Sequence, residues 1–262
     1  MQLPAEPDPR PIWLARVQQV VQDAERRSAA VFDLRPKAAI TVKREPAFSE
    51  ASAAAHYSSA APDGSMPGIY WLPLADLGPK VTWLGVGQKT TAYHETIPGH
   101  HFQISIQQES TELPRYRKMG IFGFIVAYGE GWALYAERLA EENGWYEGDL
   151  PGRLGYLKLQ LFRARRLVAD TGLHVKRWTR QQVIDYGFTP TEAERYCVWP
   201  GQACSYMVGQ LRILELREKA KAALGVRFSI KEFHNVVLRG GMLPLDVLAQ
   251  EVVAWVAATQ AK

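Results

Sequence analysis

The chain has 262 residues, of which 47% are apolar and 22% charged, and its net charge is +4. That is enough chain for one large domain or two small ones with a real core. The charge is too weak and too scattered for a nucleic-acid surface, and the longest apolar runs, such as 121–128, fall far short of a membrane span. The start, Met1-Gln2-Leu3-Pro4-Ala5-Glu6-Pro7, is acidic and proline-rich and has no apolar segment of the kind a secretory signal carries. A cytoplasmic location is the expectation that follows. Cys197 and Cys204 are the only cysteines, too few for a disulfide framework and without zinc-ribbon spacing.

Residues 1–10 read as a loose lead. Pro11 opens a helical pattern to about Leu34, with Trp13, Val17, Val20, Val21 and Ala24 on a 3.6-residue period. Residues 38–42 form a short β-type run, and 49–67, rich in Ala, Ser, Gly and Pro, reads as a long connection. Gly68-Ile69-Tyr70-Trp71-Leu72 is a second strand, stopped by Pro73. Beyond residue 100 the pattern is helical over 100–111, 118–142, 152–171, 178–186, 190–197, 201–224, 229–238 and 244–259, with Gly and Pro between the segments. The expectation is a mainly α fold with a small β-sheet near the N-terminal side. Residues 1–35 form a lead and helix, and 36–262 one continuous domain.

Just before that helical region lies His94-Glu95-Thr96-Ile97-Pro98-Gly99-His100-His101, which holds three of the chain's six histidines. It reads as a stretched form of the helical zinc-hydrolase motif, in which two histidines hold the metal and a glutamate activates water. In an unbroken helix neither later histidine could join His94. His100 would lie far around the helix, and His101 about 10 Å further along it. Pro98 and Gly99 resolve this. Proline removes a helical hydrogen bond and disfavours α geometry at Ile97, and glycine permits a kink. A break there brings His100 back toward His94. His94 and His100 are therefore the expected ligands, with His101 the substitute, and Glu95 is the expected general base.

A catalytic zinc usually has three protein ligands and one open position. Glu130, inside the apolar run 121–134 and flanked by Gly129 and Gly131, is the best third ligand, because metal ligation would offset the cost of burying it. The competing reading is a salt-bridged core glutamate. Glu137, two turns on, reads as a residue behind the ligands or on the surface. Two histidines and one glutamate favour zinc over other divalent ions.

His-Glu-x-x-Pro-Gly-His-His-x-Gln at 94–103 and Glu-Gly-Trp-Ala-Leu-Tyr-Ala-Glu at 130–137 resemble the bacterial DUF885 proteins. So do Arg166 to His174, Trp199 to Tyr206, Phe233-His234, Gly240 and Leu243-Pro244-Leu245. The resemblance covers most of residues 30–258. It implies a helical domain related to zinc metallopeptidases of the HExxH type. It also implies relatives about twice as long, this chain matching their C-terminal half.

Amide hydrolysis also needs an oxyanion donor and groups that position the substrate. Tyr206 is the candidate phenol donor, or else a packing residue. His174, four after Asp170, donates to the oxyanion, orients a ligand through Asp170, or forms a structural pair with Asp170 at a helix end. Arg166 reads as the i,i+4 partner of Asp170. Arg195 and His101 are candidates for substrate binding, and His234 reads as structural. The strand 68–72 is either an edge for an extended peptide or a plain core strand. The function expected is a zinc-dependent hydrolase acting on a small peptide or related amide, with Glu95 as base. The alternative is a non-catalytic helical protein that retains a structural metal site. No Gly-x-Ser-x-Gly elbow and no di-iron Glu-x-x-His pair occurs.

Overall fold

The computed structural model describes residues 8–74, 87–121 and 123–261. The first helix, α1 (Arg10–Ser28), places Trp13, Val17, Val21 and Ala24 at intervals of four, four and three, so all four fall on one buried stripe. It stops six residues earlier than the periodicity suggests. A turn over 29–32 instead feeds Val31 and Phe32 into the core.

Three short strands follow: β1 (Ile40–Arg44), β2 (His56–Ser58) and β3 (Gly68–Leu72). Their order is β1-β3-β2, with β1 parallel and β2 antiparallel to β3, so β3 is the central strand. Of the two readings of 68–72, the core strand holds and the open edge does not, because both sides of that strand are paired. The edge facing the later helices is β2, three polar-leaning residues hidden in what reads as a connection. The sheet sits on the N-terminal side, as expected.

The rest is helical: α2 (Gln88–Glu95), α3 (His100–Glu109), α4 (Arg115–Lys118), α5 (Val126–Glu142), α6 (Leu150–His174), α7 (Arg180–Asp185), α8 (Pro190–Val198), α9 (Gln202–Leu224), α10 (Ile230–Arg239) and α11 (Leu245–Gln260). Side-chain caps from Asp149, Thr179, Thr189 and Ser229 start α6, α7, α8 and α10 by accepting orphan backbone N–H groups. The helical run expected from 118 begins only at Val126. Gly120 and Gly123 adopt φ of +61° and +92°, and this left-handed backbone separates α4 from α5.

Helices α5 and α9 pack at the centre. Gly131 faces Gly209, and a Cβ on either residue would overlap backbone of the opposite helix. This close approach fixes the face of α5 that turns toward α2 and α3. The main core joins α1, the sheet and the central helices through Val21, Tyr70, Trp132, Tyr135 and Phe233, so the N-terminal helix shares its core with the residues beyond 36. A second cluster, around Val183, Phe188 and Tyr196, packs the corner formed by α6, α7 and α8. No helix among the described residues is long and apolar enough to cross a membrane.

Candidate metal centre

The backbone break falls where the sequence places it. Helix α2 ends at Glu95 and α3 begins at His100. Between them Thr96 returns its hydroxyl to the Ala92 carbonyl at 2.6 Å, and the Gly99 N–H donates to the Tyr93 carbonyl at 3.0 Å. Glycine is required at 99 by space, because a Cβ there would overlap the carbonyl oxygen of His94. The break is tied to α5 by Trp132, whose indole N–H donates to the Pro98 carbonyl at 2.8 Å. Trp132 lies two residues after Glu130, so the same helix that anchors the break carries the acid.

The result is a convergence of three side chains. One carboxylate oxygen of Glu130 lies 3.3 Å from His94 Nε2 and 3.3 Å from His100 Nε2. The three potential ligand atoms all lie within 4.8 Å of one another. Two ligands about 2.0–2.1 Å from a tetrahedral zinc stand roughly 3.3 Å apart, so both Glu130 contacts match an edge of that figure. The opposite nitrogen of His94, Nδ1, lies 2.8 Å from Glu137, which is fully buried and receives a further hydrogen bond from Gln160 at 3.3 Å. A carboxylate behind an imidazole fixes the ring and leaves the far nitrogen for a cation. On donor type, spacing and support, the residues present fit a zinc ion.

The electrostatics agree with a site built for positive charge. Burial opposes protonation of His94, but Glu130 and Glu137 more than offset it and raise its pKa. Burial likewise opposes ionisation of Glu130, yet His100 and His94 hold its carboxyl well below the usual range. Glu95 is 9% exposed, and burial raises its pKa despite the cations nearby. A carboxylate with raised proton affinity is a better base near neutral pH.

These groups line a cleft of about 950 Å³, which also takes in residues 54–57 and 59 along β2, Arg163, Arg195 and Tyr206. Tyr206 stacks on His94 with ring centres 6.2 Å apart, and its hydroxyl accepts from Arg195 and Gln202, each at 3.3 Å. The structure thus brings Tyr206 and Arg195 to the site.

Other expected site residues lie elsewhere. His101 is 1% exposed and packs against the sheet, with Nδ1 3.1 Å from the Tyr57 hydroxyl and 3.3 Å from Ser105 of its own helix. One step around α3 from His100 turns it under Gly68, and burial pushes its pKa down to about 4. It is positioned neither as the substitute ligand nor for substrate binding. His174 ends α6 outside the cleft, where Nε2 donates to the Tyr196 carbonyl at 2.9 Å, so it cannot reach an oxyanion at the centre. Asp170 accepts from the Gly201 N–H at the start of α9. Arg166 pairs with Glu192 at 2.8 Å rather than with Asp170. Arg163 and Glu192 are cleft residues that sequence reasoning missed. A run of arginines on a long helix carries no mark of which one turns inward. His234 is structural as read, held between the Tyr135 hydroxyl and the Val31 carbonyl, each at 2.8 Å.

A mainly helical chain with a His-His-Glu cluster at a helix break is the class that fold and site define. The chain belongs to the family described as "Bacterial protein of unknown function (DUF885)", which it matches over residues 2–252. It is similar to the solved structure of "the putative lipoprotein from Colwellia psychrerythraea", at 44% identity and a TM-score of 0.88, over 95% of this chain and 43% of that one. It is also similar to "a putative lipoprotein of unknown function from Shewanella oneidensis", at 25% identity and a TM-score of 0.75, over 92% of this chain and 45% of that one. The chain therefore spans less than half the length of these solved relatives. No curated protein matches it.

Proposed function

We propose that this chain is a zinc-dependent hydrolase acting on peptide or related amide bonds. The observation that carries the reading is the convergence of His94, His100 and Glu130 on one point at the wall of a large cleft, with Glu137 behind His94. When bound, the ion supplies Lewis-acid polarisation of a carbonyl and activation of water. The protein's own residues supply the rest. Glu95 follows the first ligand and faces the same cleft, where its carboxylate accepts a proton from the attacking water and passes it to the leaving nitrogen. Tyr206, beside His94, donates its hydroxyl to the developing oxyanion. The β2 edge along the cleft offers backbone groups to an extended substrate.

The competing reading is a non-catalytic protein with a structural metal. A structural zinc is closed by four protein ligands, whereas among the described residues three converge here, at the wall of a cleft. That difference favours the catalytic reading. The test is hydrolysis of a peptide panel by the zinc-loaded protein and by Glu95→Gln. The expected result is turnover by wild type that is lost in the variant at unchanged zinc content. Equal turnover by both, or none by zinc-loaded wild type, overturns the reading.

A further inference from the structure

Three arginines, Arg163, Arg166 and Arg195, line the cleft of the metal centre, and they are not equivalent. Arg166 is satisfied: its guanidinium bonds Glu192 at 2.8 Å and the Tyr196 hydroxyl at 3.2 Å. Arg195 bonds the neutral oxygens of Gln202 at 2.9 Å and Tyr206 at 3.3 Å. Its nearest carboxylate, Glu192 at 3.6 Å, is the one already paired with Arg166. Arg163 is the extreme case. Its side chain is 12% exposed and its Nε is buried without a hydrogen-bond partner. Among the described residues the only carboxylate within ion-pair range is Glu137 at 4.0 Å, whose oxygens already serve His94 and Gln160.

Three guanidinium groups thus line the cleft, Arg166 and Arg195 share the one carboxylate of Glu192, and a buried N–H of Arg163 has no acceptor among the described residues. Buried donors without partners cost free energy, and guanidinium matches carboxylate geometry. Arg163 and Arg195 both flank Tyr206: Arg163 lies 5.7 Å from its ring centre and Arg195 bonds its hydroxyl. Tyr206 in turn stacks on the ligand His94, so the cationic pair stands next to the metal centre.

We propose that Arg163 and Arg195 form an anion subsite that takes the free C-terminal carboxylate of a short peptide or N-acyl amino acid, making this an exo-acting enzyme that works from the C-terminus. This rests on the hydrolase reading and names its substrate class. Among the described residues neither Glu130 nor Glu95, the other acids of the cleft, is in ion-pair range of Arg163 or Arg195, although Arg163 also acts on Glu95 through space.

The experiment compares each substrate as free acid and as C-terminal amide, otherwise identical, with zinc-loaded wild type, Arg163→Gln, Arg163→Lys and Arg195→Gln. Zinc content and thermal melting are recorded for every variant. Wild type is expected to prefer the acid by about 10–100-fold in kcat/KM, mostly through KM, as charge-assisted hydrogen bonds imply. Arg163→Gln and Arg195→Gln reduce that ratio toward one, whatever they do to the rate on the amide, and Arg163→Lys restores part of it. Equal rates on acid and amide in wild type, or a preference that survives both glutamine variants, overturn the proposal. Should Arg163→Gln lose its fold or its zinc, Arg195→Gln decides alone. Should no substrate turn over, the hydrolase reading fails, and calorimetric titration with the acid and amide dipeptides tests the subsite separately. Binding of the acid alone, abolished in the glutamine variants, supports it, and binding of neither overturns it.

Discussion

Two buried imidazoles, His234 near Trp132 and His94 at the metal centre, have opposite surroundings. His234 stands 5.9 Å from that indole ring and spends both nitrogens on neutral groups, a tyrosine hydroxyl and a backbone carbonyl. Burial drives its pKa down to about 3, so it sits in the core as a neutral packing element. His94, beyond the break that Trp132 anchors, is held between two carboxylates. Burial is similar, at 0% and 3% exposure, so depth does not separate structural from functional histidine. The charge of the partners and the direction of the free nitrogen do. His234 is sealed, and His94 points with His100 and Glu130 into a cleft.

The comparison breaks most severely at the proton acceptor. Glu95→Gln is expected to lower turnover by about 10²–10⁴-fold with zinc retained, read by kinetics and metal analysis together. A loss of zinc along with activity would make Glu95 a ligand instead. Next is the carboxylate behind the ring: Glu137→Gln should weaken zinc affinity by about 10–100-fold, measured by competition with a chelator. Unchanged affinity would reduce Glu137 to core packing.

Smaller effects test the frame. Trp132→Phe removes the bond to the Pro98 carbonyl and leaves that acceptor unpaired, so a stability loss of about 1–3 kcal/mol is expected in chemical denaturation. A neutral result would mean the break holds itself. The sealed histidine gives the mildest and most specific signal. Its folded pKa lies below its unfolded value near 6.5, so the unfolded chain binds the extra proton. His234 therefore stabilises fully above about pH 6.5, and that contribution is lost as pH falls toward about 3. His234→Gln should flatten this part of the stability–pH curve, and a slope unchanged by the substitution would assign it to other groups.

Much of this contrast is legible in the sequence. Proline and glycine between histidines six apart mark a break, and a glutamate between glycines inside an apolar run marks a buried acid with a purpose. The strand 68–72 and the helices from 190 onward follow from periodicity and punctuation. What escapes is whatever depends on partners distant in the chain. His-Tyr-Ser at 56–58 becomes a strand only because β3 offers it an edge. His174 looks like a catalytic group until the chain brings the Tyr196 carbonyl to it. Arg163 and Arg166 lie one turn apart on the same helix, and only the position of Glu192 on α8 decides which is neutralised.

The central claim is that the helix break draws two imidazoles and the acid of α5 onto one zinc ion. Zinc stoichiometry tests it most directly, measured on the reconstituted wild type and on His94→Ala, His100→Ala, His101→Ala and Glu130→Ala. The account predicts one tightly held ion per chain in wild type and in His101→Ala, with marked weakening or loss in the other three. An ion that survives substitution of His94, His100 and Glu130, or a wild-type chain that takes up none, would contradict it.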